Sequence, residues 1–248
     1  HRQARPLRCD IEALMEGMES EVSGPVETDY AKQWRAWDEA VGTAFREAME
    51  AEQSLFEGKA AWLLSRILPL DTPLFIANSM PVRDVEYFWE KGERRVRPFF
   101  NRGANGIDGT LSTALGVAHG GAPAVMLTGD LALLHDANGF LAKRYFKGSL
   151  TIVVLNNNGG GIFENLPIAG FEPPFEEYFV TPQGVSFEKL CAYHDIEYTR
   201  IADWAQFEAE AGNLPESGIR LLEVVCERKR DVVCRRELFA RTAEDLTS

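Results

Sequence analysis

Two apolar runs that each stop on an oxygen-bearing side chain constrain this chain more than any other feature. The first, AVMLTGD, runs from Ala124 to Asp130, and the second, SLTIVVLNNNGGGIF, from Ser149 to Phe163. The intervening LALLHDANGFLAKRYFKG reads as a helix. A strand–helix–strand unit predicts two adjacent parallel strands. Asp130 and Asn157, 27 positions apart, then reach the same edge of a sheet. That edge offers a fixed carboxylate, a side-chain carbonyl oxygen and the backbone carbonyl of Gly159, where glycine lets the chain turn sharply. A hard cation such as magnesium takes oxygens of these kinds and completes its shell with phosphate and water. Gly-Asp and Asn-Gly are ordinary turn formers when met singly. Together, each closing an apolar strand, they predict a metal–diphosphate site.

The rest of the chain extends the same pattern. PLFIAN, RPFFNRG, AVMLTGD and LTIVVLNN read as strands, each of the first three followed by a helical segment. A loop rich in Gly and Pro runs to about Pro182, then a helix from Ser186 to His194, a strand from Glu197 to Ile201, and a helix from Trp204 to Gly212. A strand from Arg220 to Cys226 and a helix from Val232 to Arg241 complete the reading. The prediction is an α/β fold, a parallel sheet with helices on both faces, whose ligands gather beyond the C-terminal strand ends. Ahead of it, residues 1 to 28, with Pro6, Gly24 and Pro25, read as an irregular lead-in. Thr28-Asp29 starts an amphipathic helix carrying Trp34, Trp37, Val41, Phe45, Ala48 and Met49, whose tryptophans are expected to pack. A second helix ends at Pro69.

Composition narrows the partners. A net charge of −12 argues against a nucleic-acid backbone. No apolar run approaches the ~20 residues that span a bilayer, and no signal peptide is recognisable. Cys9, Cys191, Cys226 and Cys234 form no CxxC pair, which predicts a reduced, cytoplasmic protein. The chain starts at His1, which suggests the C-terminal part of a longer polypeptide or a processed chain.

Other strand ends carry further candidates. NRGANGIDG, Asn101 to Gly109, is neither a GxGxxG fingerprint nor a P-loop. In it, Arg102 is either a bidentate carboxylate ligand or a surface arginine, and Ile107 either an apolar prop for a flat ring or a core residue. ANSMPVRD, Ala77 to Asp84, presents Ser79 and Arg83. Ser79 lacks the GxSxG setting of a nucleophile and reads as a hydrogen-bond donor. Amides following Asp130, Asn138, or the amides of Gly159 to Ile162 are candidate diphosphate donors. His1, His119, His135 and His194 lack paired metal spacing, so zinc is not expected; His135 lies one turn beyond Asp130.

These segments carry a resemblance. GD, LALLHDANGF and NNNGGGIF resemble the thiamine-diphosphate motif, and the set NSMPVRD, NRGANGIDG, GDLALLHD and NNNGGGIF resembles the 2-succinyl-5-enolpyruvyl-6-hydroxy-3-cyclohexene-1-carboxylate synthases of menaquinone and phylloquinone biosynthesis. The likeness covers about residues 30 to 248 and implies that residues 29–248 are a pyrophosphate-binding domain, with 1–28 the tail of a central domain. It implies thiamine diphosphate with Mg2+, or Mn2+, as cofactors. Asp130, Asn157 and the Gly159 carbonyl would hold the metal. Gly129, Leu131, Asn138, Ile107 and Ile162 would join them around the cofactor. Ser79, Arg83 and Arg102 would meet substrate carboxylates, and Ile162, Phe163 and Leu166 would wall the reacting centre. The implied reaction decarboxylates 2-oxoglutarate and adds the succinyl unit to isochorismate, in the cytoplasm or, in a photosynthetic eukaryote, the plastid.

The chain reads Gly129-Asp130-Leu131 where thiamine enzymes more often have GDG, which suits the synthase subgroup. The family's activating glutamate belongs to an N-terminal domain of another subunit, so a homodimer or homotetramer is implied. This chain alone is expected to be inactive. The alternatives are another thiamine-diphosphate enzyme, such as a 2-oxoacid decarboxylase or an acetolactate-synthase-like protein, or a non-catalytic diphosphate-binding module.

Overall fold

A computed structural model of the chain describes residues 8 to 19 and 27 to 247. By backbone contacts the chain divides into two units, His1–Val41 and Gly42–Ser248. In the first, the expected irregular lead-in is corrected: Ile11–Glu19 is a helix, α1. Asp10 caps it by accepting from the Ala13 N–H at 2.8 Å, the hydrogen bond an N-cap aspartate makes. Pro6, Gly24 and Pro25 lie outside the described residues. Helix α2, Asp29–Ala51, starts where Thr28 accepts from the Ala31 N–H at 3.2 Å. The expected packing of its tryptophans is also corrected. Trp34 is 54% exposed and Trp37 37% exposed, and Trp34 meets Trp37 edge to face at 5.4 Å and Tyr30 at 6.0 Å, so the rings pack on neighbours about one turn away along their own helix.

The second unit is a six-stranded, all-parallel sheet in the order β2-β1-β3-β4-β6-β5. Its strands are β1 Pro73–Ile76, β2 Arg97–Phe99, β3 Ala124–Gly129, β4 Ser149–Asn156, β5 Glu197–Arg200 and β6 Gly218–Val225. Strand residues alternate between two cores, as a sheet covered on both sides requires. Leu74, Ile76, Val125, Leu127, Val153 and Leu155 face one cluster with α3 Glu57–Ile67, α4 Met80–Phe88, α8 Trp204–Gly212 and α9 Arg228–Thr247. Phe75, Met126, Leu150, Ile152 and Val154 face the other, with α5 Thr110–Ala118, α6 Asp130–His135 and α7 Phe187–Tyr193.

The helix expected to run from Leu131 to Phe146 is broken. α6 stops at His135, Asp136 leaves helical geometry at φ −113°, ψ 24°, and Ala137–Tyr145 winds as a 3-10 helix. Asp136 instead accepts from the Ser112 N–H at 2.7 Å, satisfying a free amide in the first turn of α5. The loop after β4 also holds short turns of helix at Gly161–Asn165, Pro167–Gly170 and Glu176–Val180. The chain leaves β1 for β2 on one side and returns as β3 on the other, so a crevice opens at the C-terminal ends of β1 and β3, where such sheets bind ligands.

Candidate functional site

A cavity of about 440 Å³ occupies that crevice. Every strand end singled out in the sequence contributes to it: Ser79 and Arg83 after β1, Arg102 and Ile107 after β2, Gly129 at the end of β3 with Asp130 and Leu131 after it, and Asn157, Gly159, Ile162 and Phe163 after β4. Leu166 is exposed and Asn138 and His135 are exposed, and none of the three lines the cavity. Glu57, Asn78, Met80, Pro81 and Leu155 line it as well.

The floor joins β3 to β4. Gly129 pairs in register with Leu155, so the residues that follow each strand meet. The Gly159 N–H donates to Asp130 Oδ2 at 2.7 Å, and the Leu131 N–H to Oδ1 at 2.8 Å. The Leu131 amide is thus engaged by the carboxylate next to it. Burial leaves Asp130 6% exposed and pushes its pKa up to about 6, against the pull of these two amides. Gly159 sits at φ 138°, and a Cβ there would meet the Val180 carbonyl oxygen at 2.4 Å, so the turn admits only glycine.

Asn157 is buried, and its Nδ2 donates to Glu57 Oε1 at 2.5 Å. That contact fixes which end of the amide is oxygen. The oxygen, Oδ1, is buried with no hydrogen-bond partner in the protein. A buried acceptor left unmatched beside a buried carboxylate is what a hard cation would satisfy. The Gly159 carbonyl accepts from the Gly161 N–H at 2.9 Å and keeps a second lone pair. Among the described residues no group of three His, Cys, Asp or Glu side chains could hold a metal, so a cation here would rest on mixed oxygen donors. The residues present fit magnesium or manganese with a diphosphate.

The walls are cationic and apolar. Asn78 holds the 101–106 loop by donating to the Asn101 and Gly106 carbonyls at 3.0 and 2.6 Å, and its Oδ1 accepts from Arg102 at 2.7 Å. Arg83 turns back onto the Ser79 carbonyl at 2.7 Å, and Ser79 itself adopts φ 76°. Ile107 is half-buried against the second core, its carbonyl held by the Thr110 hydroxyl at 3.2 Å. The Ile162–Phe163 wall is anchored from behind: Arg228 pairs with Glu164 at 2.9 Å and also with Glu176. Glu57 escaped the sequence reading because it follows no strand end, and Asn78, which follows β1, because only its neighbours Ser79 and Arg83 were singled out there. Asn78, adjacent to Ser79 in NSMPVRD, had a signal; Glu57 had none short of the fold.

No family profile matches the chain. The chain is 50% identical over 249 residues to the 2-succinyl-5-enolpyruvyl-6-hydroxy-3-cyclohexene-1-carboxylate synthase of Acaryochloris marina, covering 99% of this chain and 42% of that protein. It is 53% identical over 222 residues to the synthase of Microcystis aeruginosa, covering 90% of this chain and 39% of that one. The chain therefore spans about two-fifths of the length of the curated relatives it matches. Among solved structures, a candidate thiamin diphosphate-dependent enzyme from Mycobacterium smegmatis superposes with a TM-score of 0.56 at 19% identity, covering 71% of this chain and 33% of that one. Benzoylformate decarboxylase from Polynucleobacter necessarius gives 0.55 at 16%, covering 69% and 33%. These two share the fold. Over nearly its whole length the chain is a homologue of the C-terminal part of the 2-succinyl-5-enolpyruvyl-6-hydroxy-3-cyclohexene-1-carboxylate synthases.

Proposed function

We propose that this chain holds the diphosphate end of thiamine diphosphate, through Mg2+ or Mn2+, in a synthase that decarboxylates 2-oxoglutarate and joins the succinyl unit to isochorismate in quinone biosynthesis. The observation that carries the reading is the juxtaposition of buried Asp130 with the unpartnered Oδ1 of Asn157 at the ends of β3 and β4. When bound, the cofactor supplies the electron sink that lets a 2-oxoacid lose carbon dioxide. Asp130, Asn157 and the Gly159 carbonyl are the residues that would hold its metal. Ile107 would support the cofactor ring, and Gly129 and Leu131 would border it.

The chain's other residues bind and shield the reactants. Arg102 and Arg83 would neutralise carboxylates of substrates that carry several, with Ser79 as a hydrogen-bond donor. Ile162 and Phe163 would exclude water over the reacting carbon, which strengthens the charge interactions beneath them. Residues 29–248 would form the pyrophosphate-binding domain, completed by the N-terminal domain of another subunit in a homodimer or homotetramer. We place the assembled enzyme in the cytoplasm, or the plastid of a photosynthetic eukaryote. No described helix is long and apolar enough to cross a membrane.

The test is to mix the full-length protein with thiamine diphosphate, Mg2+, 2-oxoglutarate and isochorismate and follow isochorismate. Consumption that requires both 2-oxoglutarate and the cofactor is expected. A folded full-length protein that consumes none would overturn the reading.

A further inference from the structure

We propose that Glu57 is a positioning residue that sets the polarity of the Asn157 side chain, turning its oxygen toward the cation site. This rests on the metal–diphosphate reading of the cavity. Asn157 lies at the end of β4, whereas Glu57 opens α3, 100 positions earlier in the chain. An asparagine amide is nearly symmetric in shape, so packing alone does not choose between its two orientations. Glu57 makes the choice electrostatically: a carboxylate accepts only, so the Nδ2 must face it. The Nδ2–Oε1 distance is 2.5 Å, and Oδ1 is left on the opposite side, buried and unpartnered.

Glu57 cannot drift to relax this constraint. It is 3% exposed, and its second oxygen accepts from Arg235 at 3.3 Å. Arg235 is tied in turn to the fully buried Asp84 at 2.7 Å. The Glu57 main chain is held too, its N–H donating to Asp231 Oδ2 at 3.2 Å. Two residues of α9, Asp231 and Arg235, therefore fix the glutamate that fixes the amide. Such outer partners orient metal ligands, and losing one typically costs ~10- to 100-fold in metal affinity.

The swap of donor and acceptor tests this in the full-length protein. Glu57→Gln offers an NH2 that can draw the Asn157 oxygen toward it. Mn2+ binding, titrated by electron paramagnetic resonance with thiamine diphosphate present, is expected to weaken by about 10-fold or more. The double variant Glu57→Gln/Asn157→Asp restores a donor–acceptor pair and leaves an oxygen facing the cation. It is expected to recover at least half of the logarithmic loss. An affinity in Glu57→Gln within about twofold of the parent, or a folded double variant no tighter than the single, overturns the proposal. Asp130→Ala separates the two readings: if it too leaves Mn2+ affinity unchanged, the cation site itself is wrong. If it abolishes binding while Glu57→Gln stays within about twofold of the parent, only the positioning role falls. Should neither Glu57 variant keep its native circular dichroism, a crystal structure of the parent with Mn2+ and thiamine diphosphate decides. An Asn157 whose oxygen faces the metal and whose nitrogen faces Glu57 upholds the role, and any other orientation refutes it.

Discussion

The Gly159 N–H donates to the Asp130 carboxylate at 2.7 Å, closing the end of β4 onto the end of β3. One hydrogen bond thus joins two segments 29 positions apart and brings the carboxylate and the glycine turn together on the floor that Asn157 also lines.

Removing that carboxylate should therefore remove the cation. Asp130→Ala is expected to weaken Mn2+ binding in the presence of thiamine diphosphate by at least about 100-fold, more than any outer partner contributes. Isothermal titration with Mn2+ checks it, and an affinity within a few-fold of the parent contradicts the assignment.

Gly159 should tolerate no side chain. At φ 138°, with a Cβ 2.4 Å from the Val180 carbonyl oxygen, Gly159→Ala must shift backbone as well as strain it. The expected cost is about 1–3 kcal/mol, read as a lowered midpoint in urea denaturation. An unchanged midpoint contradicts the turn geometry.

The Ile162–Phe163 wall depends on Arg228. Its guanidinium is the shared partner of Glu164, which is 8% exposed, and of Glu176 at the start of the Glu176–Val180 turn. Arg228→Met leaves a buried carboxylate uncompensated, at a cost of about 2–4 kcal/mol. Faster proteolysis between residues 166 and 178 is the local signature, and equal cleavage rates in parent and variant would argue against it.

Acid should release the cation. Burial holds Asp130 up at about 6, above the ordinary carboxylate value of 3.8. Protons compete for it as pH falls through that value, so Mn2+ affinity is expected to decline below about pH 6. The sign for stability is the reverse. Asp130, Asp84 and Asp231 are all raised in the folded state, chiefly by burial, so the fold binds more protons than the unfolded chain. Their contribution to metal-free stability is fully present below about pH 4 and is lost as pH rises through the raised folded values. Thermal melts of the metal-free protein between pH 5.5 and 8.5 should therefore show Asp84→Asn flattening the decline. A parallel decline in both proteins would rule out Asp84 as a source.

Arg102 should report on substrate charge. With its guanidinium held by Asn78, Arg102→Ala is expected to raise the KM for the carboxylate-rich substrate by about 10-fold or more, the loss of one charge-assisted contact of about 1.5–3 kcal/mol. Asn78→Ala should give part of that effect by freeing the loop. Steady-state kinetics with each substrate varied in turn measures both.

Much of this was legible along the chain because it is written in local pattern. Each apolar run of the sheet is a strand, since period and length alone separate strands from helices here. Asp130, Asn157 and Gly159 meet because consecutive strands of a parallel unit pair in register. What failed was of another kind. The break at Asp136 arises because its carboxylate is needed by Ser112 on α5, a partner outside the helical window. The tryptophans of α2 have helical spacing but meet each other edge to face, and spacing measures only a face, never what lies against it.

Sequence by itself determined the strand ends and the oxygen donors placed on them, because β-strand alternation and parallel pairing follow from residues close in the chain. Tertiary structure alone decided how those donors are aimed. Glu57 reaches Asn157 from 100 positions away, Arg235 steadies Glu57 from 178 positions away, and Asn78 at the end of β1 holds Arg102 beyond the end of β2. Orientation of a buried polar group depends on whichever partners the fold packs beside it in low dielectric, and no local pattern encodes those partners.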